Sequence, residues 1–265
     1  MSDPSLAVAV RAACNAAAVL SDAAQDLKRL PAFSKEHIDI ASAAESEAAD
    51  AIVTTLLAAF PEHGIVGKES MARGKGNPDS PWRWIVDSID GTRNFAHGYP
   101  YYAISIALAH GPELTHAVVL DPVRDELFTA IKARGAQLNG VALRVSACTL
   151  LENALLGAVF PIRGSSKFAA NVPIFQALLG RCSGIRRAGA CALDLAYVSA
   201  GRLDGLWVMG RKSWDMAAGA LIVREAGGRV GDFAGGADFL RSGEVIAATP
   251  GIFNALREAI AAARS

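Results

Sequence analysis

Apolar and polar positions along the chain change their period several times. From Leu6 to Leu30 the apolar residues, mostly alanine, recur at helical spacing until Pro31, which predicts a helix. A second helix is expected from about Ser42 to Phe60, with Pro61 just beyond it. Glu45, Glu47 and Asp50 lie near its start, where acidic groups complement the helix dipole. Apolar bursts then predict strands at Gly64–Gly67, Trp82–Val86, Tyr101–Ala109, His116–Leu120 and Leu127–Lys132. The turn-like Asp121–Asp125 and the hairpin signal Asn139-Gly140, within Gly135–Ser146, make this an antiparallel meander. Past about residue 148 strands (Ala154–Phe160, Gly205–Met209, Val245–Ala248) alternate with helices (Val172–Leu179, Leu193–Ala200, Asp215–Ala226, Ile252–Ala263). Alternation of this kind predicts an α/β half. The chain is therefore expected to divide into an N-terminal α+β half, residues 1–148, and a C-terminal α/β half, residues 149–265. Residues 72–81 are expected to form a mobile loop.

Composition narrows the class. Hydrophobic residues make up 52% of the 265, enough for a large core. The 26 basic and 26 acidic side chains cancel, which argues against a phosphate-backbone binder, so no nucleic acid is expected among the partners. No apolar run approaches the roughly 20 residues of a membrane span, and the start lacks a basic, then apolar, secretory leader. No membrane partner and a cytoplasmic location are the corresponding expectations. Cys14, Cys148, Cys182 and Cys191 lack zinc-site spacing and suggest no disulfide framework.

Candidate chemistry is concentrated in Trp84-Ile85-Val86-Asp87-Ser88-Ile89-Asp90-Gly91-Thr92-Arg93-Asn94-Phe95. An apolar strand runs into two carboxylates, which suit a hard cation. The amides of Gly91, Thr92 and Arg93 then suit a phosphate anion. The same residues also fit a strand ending in an Asp-capped turn. Asp215 sits at a helix start and fits either a ligand or a simple cap, and Lys68-Glu69 follows a short strand.

Taken together, these segments resemble the inositol monophosphatase family of metal-dependent, lithium-sensitive phosphatases. Trp84–Phe95 is similar to its first signature, Trp214–Gly228 to its second, and Ala117–Gly140 to its meander and hairpin. The resemblance implies a layered α-β-α-β-α sandwich, with an antiparallel sheet in the first half and an α/β second half. It implies a Mg²⁺-dependent phosphomonoesterase that hydrolyses a small phosphorylated alcohol such as inositol monophosphate. Two or three Mg²⁺ ions are implied, with Mn²⁺ as a substitute, and a homodimer. By resemblance, Asp87 bridges two metals, Asp90 and Asp215 bind the second, and the Ile89 carbonyl serves the first. Glu69 coordinates or activates water, and Thr92, with Asp90, belongs to the catalytic set. Gly91, Thr92, Gly189, Ala190 and Cys191 line the substrate pocket with Asp87 and Asp215.

Three positions depart from the family pattern. Its Gly-Glu-Glu appears as Gly67-Lys68-Glu69, and an ammonium cannot ligate Mg²⁺. Lys68 either takes the space of a lost cation and contacts phosphate, or points to solvent while Glu69 coordinates. Glu45 stands where the family has Asp, and Val208 where an acidic residue contacts the inositol ring. Histidinol phosphate, a sugar phosphate and a phosphoadenosine nucleotide therefore remain alternatives, as does a catalytically weakened member with a binding or regulatory role. His97, Arg93, Arg163 and Arg187 are further polar residues that the sequence leaves without a definite role, and Cys191 is expected to be a small buried hydrophobe.

Overall fold

The computed structural model describes residues 3–30, 33–68, 75–161 and 164–264. Helix α1 (Pro4–Arg29) starts where Asp3 Oδ1 accepts the N–H groups of Ser5 and Leu6, with Pro4 at the first helical position. Helix α2 (Lys35–Ala59) begins earlier than its apolar pattern predicts, because the Ser34 N–H donates to His37 Nδ1 and closes the first turn. α1, 26 residues long, has the length and composition of a membrane span. The run-based expectation overlooked this, since its apolarity comes largely from alanine. Ala9, Ala12, Ala13, Ala16 and Leu20 are fully buried in the core shared with α2 and the first sheet.

Seven strands form the first sheet in sequential order: β1 (Gly64–Val66), β2 (Trp82–Asp90), β3 (Ala103–His110), β4 (Glu113–Asp121), β5 (Glu126–Ile131), β6 (Gly135–Leu138) and β7 (Val141–Ala142). Pairing is antiparallel except at the edge, where β1 runs parallel to β2. Of the loop expected at 72–81, residues 72–74 lie outside the described residues. Its remainder is held by a bridge between Gly64 and Gly76 and by the Asn77 N–H on the His63 carbonyl.

The second sheet has five strands, β8 (Leu155–Val159), β9 (Gly184–Arg186), β10 (Gly205–Met209), β11 (Arg229–Gly231) and β12 (Glu244–Ala248), in the order β11-β12-β10-β8-β9. Between the sheets lie α5 (Cys191–Ser199) and α6 (Ser213–Glu225), preceded in the chain by the short α3 (Thr92–Ala96) and by α4 (Ser166–Leu179). α7 (Phe239–Ser242) and α8 (Pro250–Arg264) follow. α5 and α6 bury one side against the first sheet and the other against the second, while α4 and α8 cover the second sheet's outer face. The layers are thus α-β-α-β-α. α5 and α6 approach so closely that a Cβ at Gly219 would lie 2.4 Å from the Leu195 Cβ.

α4 starts before its expected Val172, with Pro173 inside it. β9, β11 and α7 are too short to leave a periodic signal.

Candidate functional site

Residues three apart on a regular strand point to opposite faces. β2 avoids this by a register shift: Asp87 pairs with Ser105, but Asp90 pairs with Ala103. Both carboxylates thereby open into one cleft. Gly91 then turns the chain with φ +94°, a left-handed conformation natural to glycine, and a Cβ there would meet the Tyr101 carbonyl at 3.1 Å. α3 starts at once, so Gly91, Thr92, Arg93 and Asn94 all line the cleft. Asn94 Nδ2 donates to the carbonyls of Tyr101 (2.7 Å) and Ala188 (2.8 Å), tying this turn to the second half of the chain.

The third carboxylate comes from the first turn of α6, where Asp215 Oδ2 accepts the Lys212 N–H at 2.8 Å. Ligand oxygens of Asp87, Asp90 and Asp215 lie within 4.8 Å of one another. α5 aims its N-terminus at the group, and the Ala192 N–H donates to Asp90 Oδ2 at 2.6 Å. Burial raises the Asp87 carboxyl above its usual range, with Lys68 opposing and Asp215 adding to the rise. Burial, Asp87 and Asp215 together push Asp90 well above its range. A compact set of oxygen donors short of positive charge fits one Mg²⁺ held by Asp87, Asp90 and Asp215.

The neighbouring position is different. Lys68 Nζ pairs with Glu45, lies 3.1 Å from Asp87 Oδ1, and donates at 3.4 Å to both the Ile89 carbonyl and Thr92 Oγ1. Thr92 Oγ1 donates in turn to the Ile89 carbonyl (3.1 Å) and reaches Glu45 Oε1 (3.2 Å). Burial lowers the Lys68 pKa, but Asp87 and Glu45 outweigh it and the net shift is upward, so the ammonium is charged. The side chain therefore turns into the cleft, and the alternative of a solvent-directed Lys68 is set aside. Glu69 lies outside the described residues, as does Arg163. The acceptors around Lys68 are spoken for by its ammonium, so this second position does not fit a metal alongside it.

The cleft has a volume of about 600 Å³. Gly189 and Ala188 line it, whereas Ala190 and Cys191 are buried beneath, at the start of α5. Burial and the charges of Asp90 and Asp215 push the Cys191 thiol well above its usual pKa, so it is an inert, protonated group. Val208 is fully buried in the core between the central helices and the second sheet, so it presents nothing to a ligand. His97 stacks on Phe33, with ring centroids 3.7 Å apart. Sequence reasoning missed Phe160, Phe168 and Arg211, all of which line the cleft. Arg211 carries the one usable signal, since it stands just before the Asp215 motif.

The inositol monophosphatase family profile matches residues 1–265. A Pseudomonas aeruginosa protein named Nus factor SuhB is 45% identical over 256 residues, covering 96% of this chain and 94% of its own length. The Escherichia coli K12 protein of the same name is 38% identical over 253 residues, covering 96% and 94%. Among solved structures, an inositol monophosphatase from Anabaena superposes with a TM-score of 0.86 at 32% identity, covering 97% of this chain and 95% of that one. Extragenic suppressor protein suhB from Bartonella henselae gives 0.85 at 38% identity, covering 96% and 98%. Relatives named as a Nus factor overturn the expectation that nucleic acid is excluded as a partner. That expectation used net charge, a whole-molecule sum that is blind to where cations gather; Arg93, Arg187 and Arg211 all line one cleft. From the two signatures, the layered fold and the match along its full length, the chain belongs to the inositol monophosphatase family.

Proposed function

We propose that this protein is a catalytically weakened member of its family whose cleft binds a small phosphate ester with one Mg²⁺, and whose main role is binding and regulatory. Relatives named Nus factor SuhB support a role in transcription for this chain. The observation that carries the reading is Lys68, whose ammonium reaches Asp87, Glu45, the Ile89 carbonyl and Thr92 at once.

Binding and turnover draw on different residues. Asp87, Asp90 and Asp215 would hold the cation, which supplies positive charge opposite a phosphate when bound. The residues Gly91–Asn94 and the Arg211 guanidinium line the space where the ester sits. Hydrolysis also needs a group free to accept a proton from the attacking water. Thr92 donates to the Glu45 carboxylate, and Lys68 already occupies it. Ester binding is thereby retained while water activation is impaired.

Lys68→Glu restores the carboxylate of the family pattern and tests the proposal. Phosphate release from inositol 1-phosphate at saturating Mg²⁺ is expected to rise at least tenfold over the unsubstituted protein. If the unsubstituted protein already turns over as fast as the variant, the second reading, an ordinary phosphomonoesterase favoured by its complete Asp87, Asp90 and Asp215 set, replaces this one.

A further inference from the structure

We infer that Asp194 is the buried counter-ion of Arg211 and tunes the cleft from behind, as a positioning residue that no ligand touches. A bound anion and Asp194 compete for one guanidinium, so a proton on Asp194 tightens anion binding. The inference rests on the proposed reading of the cleft as an ester-binding site and names a group that regulates it.

Two buried side chains of opposite charge are left incomplete. Among the described residues, the buried side-chain atoms without a hydrogen-bond partner include one carboxylate oxygen, Asp194 Oδ2, and one guanidinium nitrogen, Arg211 Nε. Arg211 stands just after β10, its main-chain N–H on the Gly243 carbonyl at 3.3 Å and its Nη2 on the Phe160 carbonyl at 3.2 Å. It lines the cleft, and among the described residues it makes no ion pair within 4.0 Å. Asp194 stands on α5, is 1% exposed and does not line the cleft. The Tyr101 hydroxyl donates to its Oδ1 at 2.6 Å, which fixes the carboxylate and leaves Oδ2 free.

The two charges act on each other without touching. The elements packed on α5 bring Asp87 and Asp90 (β2), Tyr101 ahead of β3, Asp121 (β4), Arg211 after β10, Asp215 (α6) and Glu244 (β12). Among the described residues only Tyr101 and Arg211 act on Asp194, both favouring its charged form against burial. Burial is the larger effect, and the carboxyl ends at about 7. Charges that meet through protein interior are screened far less than in water.

An anion in the cleft draws on the same guanidinium. It weakens the hold of Arg211 on the ionised Asp194, which takes up a proton as the anion binds. Linkage is reciprocal, so the protein with Asp194 protonated binds the anion more tightly.

Calorimetric titration of the full chain with inorganic phosphate, at saturating Mg²⁺ from about pH 5.5 to about pH 8, tests this. At the alkaline end Asp194→Asn, which keeps an acceptor for Tyr101, is expected to bind phosphate about tenfold more tightly than the unsubstituted protein. At the acid end, where Asp194 is already protonated, the two should agree within about twofold. Comparing the proteins at each pH cancels the titration of phosphate itself and of Asp87 and Asp90. Arg211→Gln should bind phosphate more weakly, and adding Asp194→Asn to it should then change nothing. Tyr101→Phe removes a donor that favours the ionised Asp194 and should tighten phosphate binding at neutral pH. Equal affinities at the alkaline end overturn the inference alone, as does an effect of Asp194→Asn that ignores pH or survives Arg211→Gln. Failure of phosphate to bind any of these proteins overturns the ester-binding reading beneath it.

Discussion

The main-chain N–H of Ala192, at the start of α5, donates to Asp90 Oδ2 at 2.6 Å, although the two residues are 102 positions apart. The contact orients one carboxylate and lends it the positive end of a helix, but burial, with Asp87 and Asp215 adding to it, presses the other way and its pKa ends well above normal. The site is built to be short of one cation.

Mg²⁺ should therefore raise thermal stability. At about a hundred times its dissociation constant the gain is about 2.7 kcal/mol, or roughly 5–10 °C in Tm for a chain of this size. Asp215→Asn should abolish the gain. Because Asp87 and Asp90 have raised pKa values, protons compete with the ion, and the Mg²⁺-dependent shift should shrink as pH falls. Scanning fluorimetry across pH checks this; a shift as large in acid as in mild base refutes the carboxylate assignment.

Asp194 gives a separate pH signature. It is fully buried, accepts the Tyr101 hydroxyl at 2.6 Å, and leaves Oδ2 without a partner. Burial raises its pKa to about 7, against the opposing effects of Tyr101 and Arg211. The folded state thus holds this proton more tightly than the unfolded chain, whose aspartates titrate near about 3.9. Its contribution to stability falls as pH rises from about 4 to about 7, and the full cost is present above that. Asp194→Asn keeps an acceptor for Tyr101 and removes the charge. It should stabilise the protein by roughly 1–4 kcal/mol above neutrality and flatten the pH slope, as read from urea unfolding. A slope identical to that of the unsubstituted protein would show that Asp194 is not the group responsible.

Gly219→Ala tests the seam between the central helices. The added Cβ would sit 2.4 Å from the Leu195 Cβ, so the helices must separate at a cost of about 1–3 kcal/mol. Gly180→Ala, which meets nothing within 4 Å, serves as the control and should stay within about 0.5 kcal/mol. Comparable losses for both would mean that the close approach is unimportant.

Legibility in the sequence followed the range of each interaction. Asp87, Asp90 and Asp215 stand out because each interrupts or starts an apolar run, so the metal-binding candidates could be found from local pattern and family resemblance. The layered fold followed from the same source. Lys68 was visible as an oddity, but its fate depended on Glu45, 23 positions earlier, and on Thr92, 24 later, which no local pattern records. Phe160 only closed an expected strand and Phe168 fell in no expected element, since nothing in spacing marks a wall that faces a cleft. Charge counting misled most, because opposite charges far apart in space cancel in a sum without cancelling at any surface.

The division of the site between the first sheet and the central helices also sets an order of events at the ribosome. When Asp90 is added to the chain, the residue that steadies it is still 102 codons from being added, and Asp215 is later still. A nascent chain at that stage holds two neighbouring acids with neither their third partner nor their helix. A cation held by all three carboxylates would therefore be available only to a chain whose central helices have already docked.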